Sequence, residues 1–154
     1  MNTLTIPDDL LAAMRTHAEN EYPRECCGLG TAAADAPDEL LAWHPCRNAQ
    51  DEFHAHDPGR FPRTSANAYF IHPAELFKFS RQADQRGEIL RLIVHSHCDA
   101  PVCFSAEDHA QALFAGEPLY PRAEHLVIAV VDGNVAAMGC FGWQPEGGFA
   151  GRPI

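Results

Sequence analysis

Two imidazoles, a hydroxyl and a carboxylate fall within one short stretch, His95-Ser-His97-Cys-Asp-Ala-Pro-Val-Cys-Phe-Ser105-Ala-Glu-Asp108. The run before it, Ile89-Leu-Arg-Leu-Ile-Val94, is bounded by Gly87 and by Asp99-Ala-Pro101 and reads as a strand buried on both faces. Side chains alternate along a strand, so His95 and His97 point the same way, about two rises of roughly 3.3 Å apart. Two nitrogens so placed can share one ion. Ser105 to Asp108 reads as the first turn of a helix, with Ser105 as N-cap and Asp108 projecting from the helix start. If the intervening loop folds back, the Asp108 carboxylate becomes a third ligand. Two imidazoles and a carboxylate with water in a fourth position make up a hydrolytic zinc site rather than a closed structural one.

Each piece also has a plainer reading. His-x-His is common without metal, and Ser-x-x-Asp is by default a variant of the capping box. A hydrolytic centre needs, besides its ligands, a group that takes a proton from water and returns it to the departing amine. Glu25, at the leading end of Glu25-Cys-Cys-Gly-Leu-Gly30, is the candidate. A solvated acid at a strand end, or a partner for Arg24, is its structural alternative. Ser105 has two compatible tasks, capping the helix and donating to an oxyanion. Asp99 and Glu107 read as solvated acids. His54 and His56 repeat the His-x-His spacing in a stretch without period and are expected to face solvent or substrate. His17, His44, His72 and His125 stand singly near element ends, as surface or hydrogen-bonded histidines. His109 should point away from Asp108 by about 100 degrees around the helix.

The elements that must position these groups can be read in order. Ile6-Pro7-Asp-Asp-Leu10 opens a helix with acids in its first turn, and Tyr22-Pro23 closes it. Arg24 to Thr31 and Glu39 to Pro45 read as a hairpin, in which Gly28 and Gly30 let another backbone come close. Residues 46–65 read as a long irregular loop. Ala68 to Ile71 reads as a short strand, and Pro73 starts a helix that stops at Gly87. A helix from Ser105 carries Ala110, Leu113 and Phe114 inward and ends at Gly116. Asp132-Gly133 joins His125–Val131 to Asn134–Phe141 as a hairpin. The fold class is α/β, of the α+β-like kind: a single mixed β-sheet flanked by helices, with strand 89–94 near its middle. Residues 1–142 form the domain and 143–154 a loosely held tail.

Composition narrows the function. The 154 residues suit one domain. With 21 acidic against 11 basic side chains the net charge is -10, which disfavours nucleic acid and acidic membrane surfaces. No apolar run spans a membrane and the first residues lack the features of a signal peptide, so a cytoplasmic protein is expected. The six cysteines are then expected as thiols, and without Cys-x-x-Cys they support no structural zinc ribbon.

Glu25 before Cys-Gly-Leu, then His95-Ser-His97, seven residues, Ser105, two residues and Asp108, resembles the JAMM motif of the MPN+ metalloproteases. Asn48, Pro73-Ala-Glu-Leu76 and the closing hairpin also fall where small prokaryotic JAB/MPN members carry similar segments. The resemblance implies a cytidine-deaminase-like fold, Zn2+ held by His95, His97 and Asp108, Glu25 as general acid/base and Ser105 at the oxyanion. It also implies a peptidase or isopeptidase cutting after the C-terminal glycine of a ubiquitin-like or sulfur-carrier protein. The alternatives are a non-catalytic MPN-type interaction module and a small-molecule amidohydrolase. Proline commonly follows the second histidine in that family, whereas here Cys98 does, with Cys103 just before the helix. A soft thiolate so near zinc could compete for the open coordination position or become an oxidation target; the other reading takes both cysteines as small buried hydrophobes. Oligomeric state is not legible.

Overall fold

The computed structural model describes residues 3–154. In chain order the elements are α1 (Asp8–Glu21), β1 (Cys27–Ala33), β2 (Ala42–Cys46), α2 (Gln50–His56), α3 (Pro73–Arg86), β3 (Glu88–Cys98), α4 (Ala106–Ala112), β4 (Leu113–Phe114), β5 (Glu117–Pro118), β6 (Glu124–Val131), β7 (Asn134–Gln144) and β8 (Gly148–Pro153). Six strands make one sheet in the order β2-β1-β3-β6-β7-β8, while β4 and β5 pair separately. In the main sheet β3 and β6 run parallel and every other neighbouring pair is antiparallel.

β3 is interior because both of its faces are apolar. Leu92 and Val94 pack with Leu4, Met14, Ala18, Leu126 and Ile128 on the side covered by α1. Ile93 faces the other way, onto Leu29, Tyr69 and Phe79. Each such side chain, fully buried, contributes about 1.5–3 kcal/mol. β3 and β6 share a direction, so their carboxyl ends, with the loops that leave them, lie at one margin of the sheet, where open α/β sheets place ligands. His95 and His97 lie toward that end of β3.

α3 begins with Pro73 and ends on Gly87 at φ 68°, where glycine meets no steric penalty. Asp132 and Gly133 both have positive φ, the signature of a two-residue hairpin turn, and join β6 to β7 as expected. Gly28 and Gly30 do provide space, but for side chains more than for backbone. A Cβ at Gly28 would collide with the Trp43 ring, and one at Gly30 with Leu40 and Leu92.

Four expectations need correction. Residues 46–65 are not wholly irregular, for α2 lies among them; its seven residues put Phe53 against Phe61 and Phe70, with ring centroids 5.1 and 4.8 Å away. Ala68–Ile71 forms no strand; Ile71 makes a single antiparallel pairing with Asn48. The helix after Ser105 stops at Ala112; Ala110 faces solvent, Phe114 is 76% exposed, and Leu113 with Phe114 belongs to β4. Residues 143–154, expected as a loose tail, instead extend β7 and supply β8, which pairs with β7 from Gly139 to Gln144. Phe149 explains the difference: it packs on Phe104, His125 and Trp143 at 4.5, 5.2 and 5.2 Å, tying the edge strand to the domain.

Candidate metal centre

His95 and His97 leave β3 on one face with their Nε2 atoms 3.2 Å apart. Asp108 meets both: Oδ1 lies 3.1 Å from His95 Nε2 and Oδ2 3.3 Å from His97 Nε2. A tetrahedral ion with bonds of about 2.05 Å would set its ligand atoms about 3.3 Å from one another. The two nitrogens are at that spacing, each has one carboxylate oxygen at a similar distance, and one ligand atom from each of the three residues lies within 4.8 Å of the others, close enough to share one ion. All three side chains are buried.

The orientation of each ligand has a local cause. His97 Nδ1 lies 3.0 Å from the Pro101 carbonyl oxygen, which can only accept, so Nδ1 carries a proton and Nε2 is the nitrogen turned toward His95 and Asp108. His95 stacks on Tyr69 with centroids 4.6 Å apart and planes 19° apart. Its Nδ1 is buried without a hydrogen-bond partner. Asp108 is set by the start of α4. Its Oδ2 accepts from the Ser105 amide at 2.8 Å, while its own amide donates to Ser105 Oγ at 3.1 Å. Thus Ser105 caps the helix, and its hydroxyl proton is left over for another acceptor.

Electrostatics reinforce the arrangement. Burial alone would raise the Asp108 pKa, but the hydrogen bonds with His95 and His97 outweigh it and hold the carboxyl well below the usual carboxylate range. Burial lowers the His95 pKa. For His97 burial acts in the same sense, yet Asp108 and the Pro101 carbonyl overcome it and the pKa is raised. The result is an ionised carboxylate between two imidazoles, a nitrogen and oxygen donor set suited to a divalent ion of borderline softness.

Glu25 is neither solvated nor paired with Arg24, which reaches Glu21 at 3.5 Å instead. It is 4% exposed, and burial pushes its carboxyl up to about 8, with His97 opposing and Asp108 adding to the rise. Three bonds hold its backbone. The Glu25 amide donates to the Ser65 carbonyl at 2.7 Å, its carbonyl accepts from Asn48 Nδ2 at 2.9 Å, and the next amide, Cys26, donates to Ser96 Oγ at 2.7 Å. Ser96 stands between the two histidines, so one side chain ties the Glu25 segment to the strand that carries them.

Other assignments shift. Glu107, read as a solvated acid, lies 3.6 Å from Arg63, which brings the 57–65 segment against α4. Asp99 is a structural tie rather than a solvated acid. At φ 54°, it accepts from the Tyr22 hydroxyl at 2.7 Å and from the Asp132 amide at 3.0 Å. His54 is half-buried with Nδ1 2.7 Å from the Phe61 carbonyl, and His56 is exposed. His109 turns away from the ligands, as expected, to the Ser105 carbonyl at 2.9 Å and the Phe104 ring. His125 is not a surface histidine; it is 4% exposed with Nδ1 unpartnered. Cys103 is exposed and Cys98 half-buried, so neither is the fully buried hydrophobe expected; the Cys98 thiol, pushed up to about 11 mainly by burial, is a protonated neighbour. All six cysteines are free thiols. Among the described residues no helix is long and apolar enough to cross a membrane.

Asn48, Ser96 and Tyr69 support the centre without belonging to its ligand pattern. Ser96 could have been singled out, since a hydroxyl between two inward histidines lies on the opposite face of the strand and must find a partner in the core.

Three solved structures are similar in fold. A protein of Desulfitobacterium hafniense, determined in solution, has a TM-score of 0.72 and 21% identity over 99% of this chain and 91% of its own. One from Salinibacter ruber, also determined in solution, gives 0.65 and 23% over 98% and 90%. The crystal structure of a JAB1/MPN domain protein from Archaeoglobus fulgidus gives 0.54 and 13% over 97% and 95%. No protein of curated function matches the sequence. The model describing prokaryotic homologues of the JAB domain matches residues 7–141, which takes in the Glu25 segment, both histidines, the capping box and the closing hairpin, and the chain belongs to that JAB/MPN family.

Proposed function

We propose that this protein is a zinc-dependent peptidase or isopeptidase that hydrolyses the amide bond after the C-terminal glycine of a ubiquitin-like or sulfur-carrier protein. One observation carries the reading: His95, His97 and Asp108 bring their ligand atoms within 4.8 Å of one another while a buried Glu25, raised to about 8, feels the charges of two of them. His95 Nε2, His97 Nε2 and Asp108 would hold the Zn2+ ion, which would supply Lewis acidity and lower the pKa of water toward neutrality.

The remaining work falls to the chain. Glu25 accepts the proton of the attacking water and delivers it to the amine nitrogen as the C–N bond breaks, a task suited to a carboxyl tuned toward neutrality. Ser105, whose Oγ lone pair is engaged by the Asp108 amide, donates its proton to the scissile carbonyl oxygen as negative charge develops there. A glycine-ended tail is thin enough to lie extended beside this margin of the sheet, and main-chain pairing of that kind gives affinity without side-chain demands. The 57–65 segment, drawn to α4 by Arg63 and Glu107, forms a wall for it.

The test combines metal analysis with cleavage of carrier proteins extended beyond their terminal glycine. Zinc near one per chain is expected, with cleavage after the glycine and with Glu25→Gln retaining metal while losing about 10²–10⁴ in rate. Metal bound without hydrolysis of any substrate would make the chain an interaction module. Release of amine only from short amides would make it a small-molecule amidohydrolase.

A further inference from the structure

β3 carries a second buried ionic group at its other end. Arg91 is 2% exposed and precedes His95 by about 13 Å of strand rise. Its Nε donates to the Pro37 carbonyl at 2.7 Å and its Nη1 to the Arg122 carbonyl, both neutral acceptors. Among the described residues no carboxylate forms an ion pair with Arg91 or with Arg122. Taking a charge out of water is costly, and Arg91 is held there by two carbonyls with only the unpaired fields of Glu124 and Asp38 as counter-charge.

Arg91 and Arg122 line a cavity of about 680 Å³, together with Trp143 and the Arg152–Glu124 pair, whose closest atoms are 3.1 Å apart. That volume is in the range of small-ligand sites, roughly 300–1,000 Å³. Three arginines face two glutamates, Glu117 and Glu124, so this wall is net positive in a chain of net charge -10. Glu124 is already engaged by Arg152 and by the Leu4 amide. Burial lowers the Arg91 pKa; the Glu124 and Asp38 charges oppose the lowering and the Arg122 charge adds to it.

We infer that the cavity at the start of β3 and β6 binds a small organic oxyanion, a carboxylate or phosphate joined to a flat ring, with Arg91 and Arg122 on the anionic oxygens and Trp143 beside the ring. Guanidinium forks match the paired oxygens of either group, and an indole offers a large apolar contact surface. The site lies at the opposite end of the parallel strand pair from the histidines and shares no residue with them.

Trp43→Phe leaves Trp143 as the sole tryptophan, so its emission reports on the cavity. Phenyl phosphate and benzoate are the probes, with phenol as the uncharged control. A saturable change with either anion and none with phenol is expected, and the tighter anion distinguishes phosphate from carboxylate. Arg122 is exposed and its side chain makes no hydrogen bond or ion pair among the described residues, so Arg122→Gln and Arg122→Glu should fold, as thermal unfolding would verify. Both should weaken binding about tenfold or more. Asp108→Ala should leave binding unchanged. No response to either anion, equal affinity in the Arg122 variants, or loss of binding in Asp108→Ala would overturn the assignment.

Discussion

Ser105 and Asp108 hold each other twice, each amide donating to the other's side chain, at 2.8 and 3.1 Å. The carboxylate that completes the histidine pair is therefore aimed by the opening turn of α4 rather than by a free rotamer. Asp108 belongs both to the capping box and to the candidate ligand group, so helix stability and site geometry are coupled.

Ser105→Ala should accordingly do two things. Loss of the cap should cost about 1 kcal/mol, read from urea unfolding of the metal-free protein. Zinc affinity should fall with it, because Asp108 loses its orienting partner, and hydrolysis should fall further still, by about 10²–10³ when the hydroxyl also serves the substrate oxygen. Ser105→Thr keeps a capping hydroxyl and should recover stability and metal affinity. An alanine variant with unchanged affinity would mean that the cap does not aim the ligand.

Asn48 gives a contrasting case. Its Nδ2 donates to the Glu25 and Ala68 carbonyls and its Oδ1 accepts from the Gln50 and Phe70 amides, so one side chain joins three segments around the candidate base. Asn48→Ala should cost about 2 kcal/mol. It should lower kcat while leaving zinc affinity near that of the parent, since none of these bonds reaches a ligand. Equal losses in metal affinity and kcat would show that Asn48 supports the whole site rather than Glu25.

Glu25 makes metal loading a proton-releasing step. With its carboxyl up at about 8 in the metal-free chain, it is largely protonated at pH 7, and a divalent ion nearby favours the ionised form. Zinc titration in weak buffer at pH 7 should release protons, and Glu25→Gln should release nearly one fewer. His97, whose pKa is also raised, contributes to both proteins alike. Identical release from the two would place Glu25 outside the field of the ion.

The candidate ligand pattern was legible because its parts are local: alternation on a strand pairs His95 with His97 and the N-cap offset at Ser105 sets Asp108 at a helix start, while the fold brings the two together. The two-faced burial of β3 was legible for the same reason, as Leu92, Ile93 and Val94 leave neither face polar. Contacts across long sequence separations were not. Nothing near Phe149 announces that it will meet Phe104 and His125 and turn a Gly- and Pro-rich tail into an edge strand. Phe53 anchors a helix inside a polar stretch because its partners are Phe61 and Phe70, a cluster without helical period. Arg91 sits in a run read as apolar, and only the fold shows it buried against the Pro37 and Arg122 carbonyls.

His125 should make the metal-free protein acid-sensitive above the carboxylate range. Burial holds its pKa down at about 3, against 6.5 when exposed, and the neighbouring rings of Phe104 and Phe149, at 4.9 and 5.2 Å, offer the charged form no solvation. Between those values the unfolded chain binds a proton that the folded chain refuses, so stability falls as pH falls. The slope from one such group is about 1.4 kcal/mol per pH unit, or about 2 kcal/mol lost by pH 5. His95, also lowered, acts in the same sense, whereas Asp108, held below its usual range, adds its loss only as pH drops through the carboxylate range. His125→Phe fills the same ring cluster without a titrating group and removes the unpartnered Nδ1. Urea unfolding at pH 7.5 and pH 5 should show the parent losing more stability than the variant by about 2 kcal/mol. Equal losses would mean that His125 is protonated within the folded chain, and the burial of its ring would then have to be relieved by a local opening around Phe149.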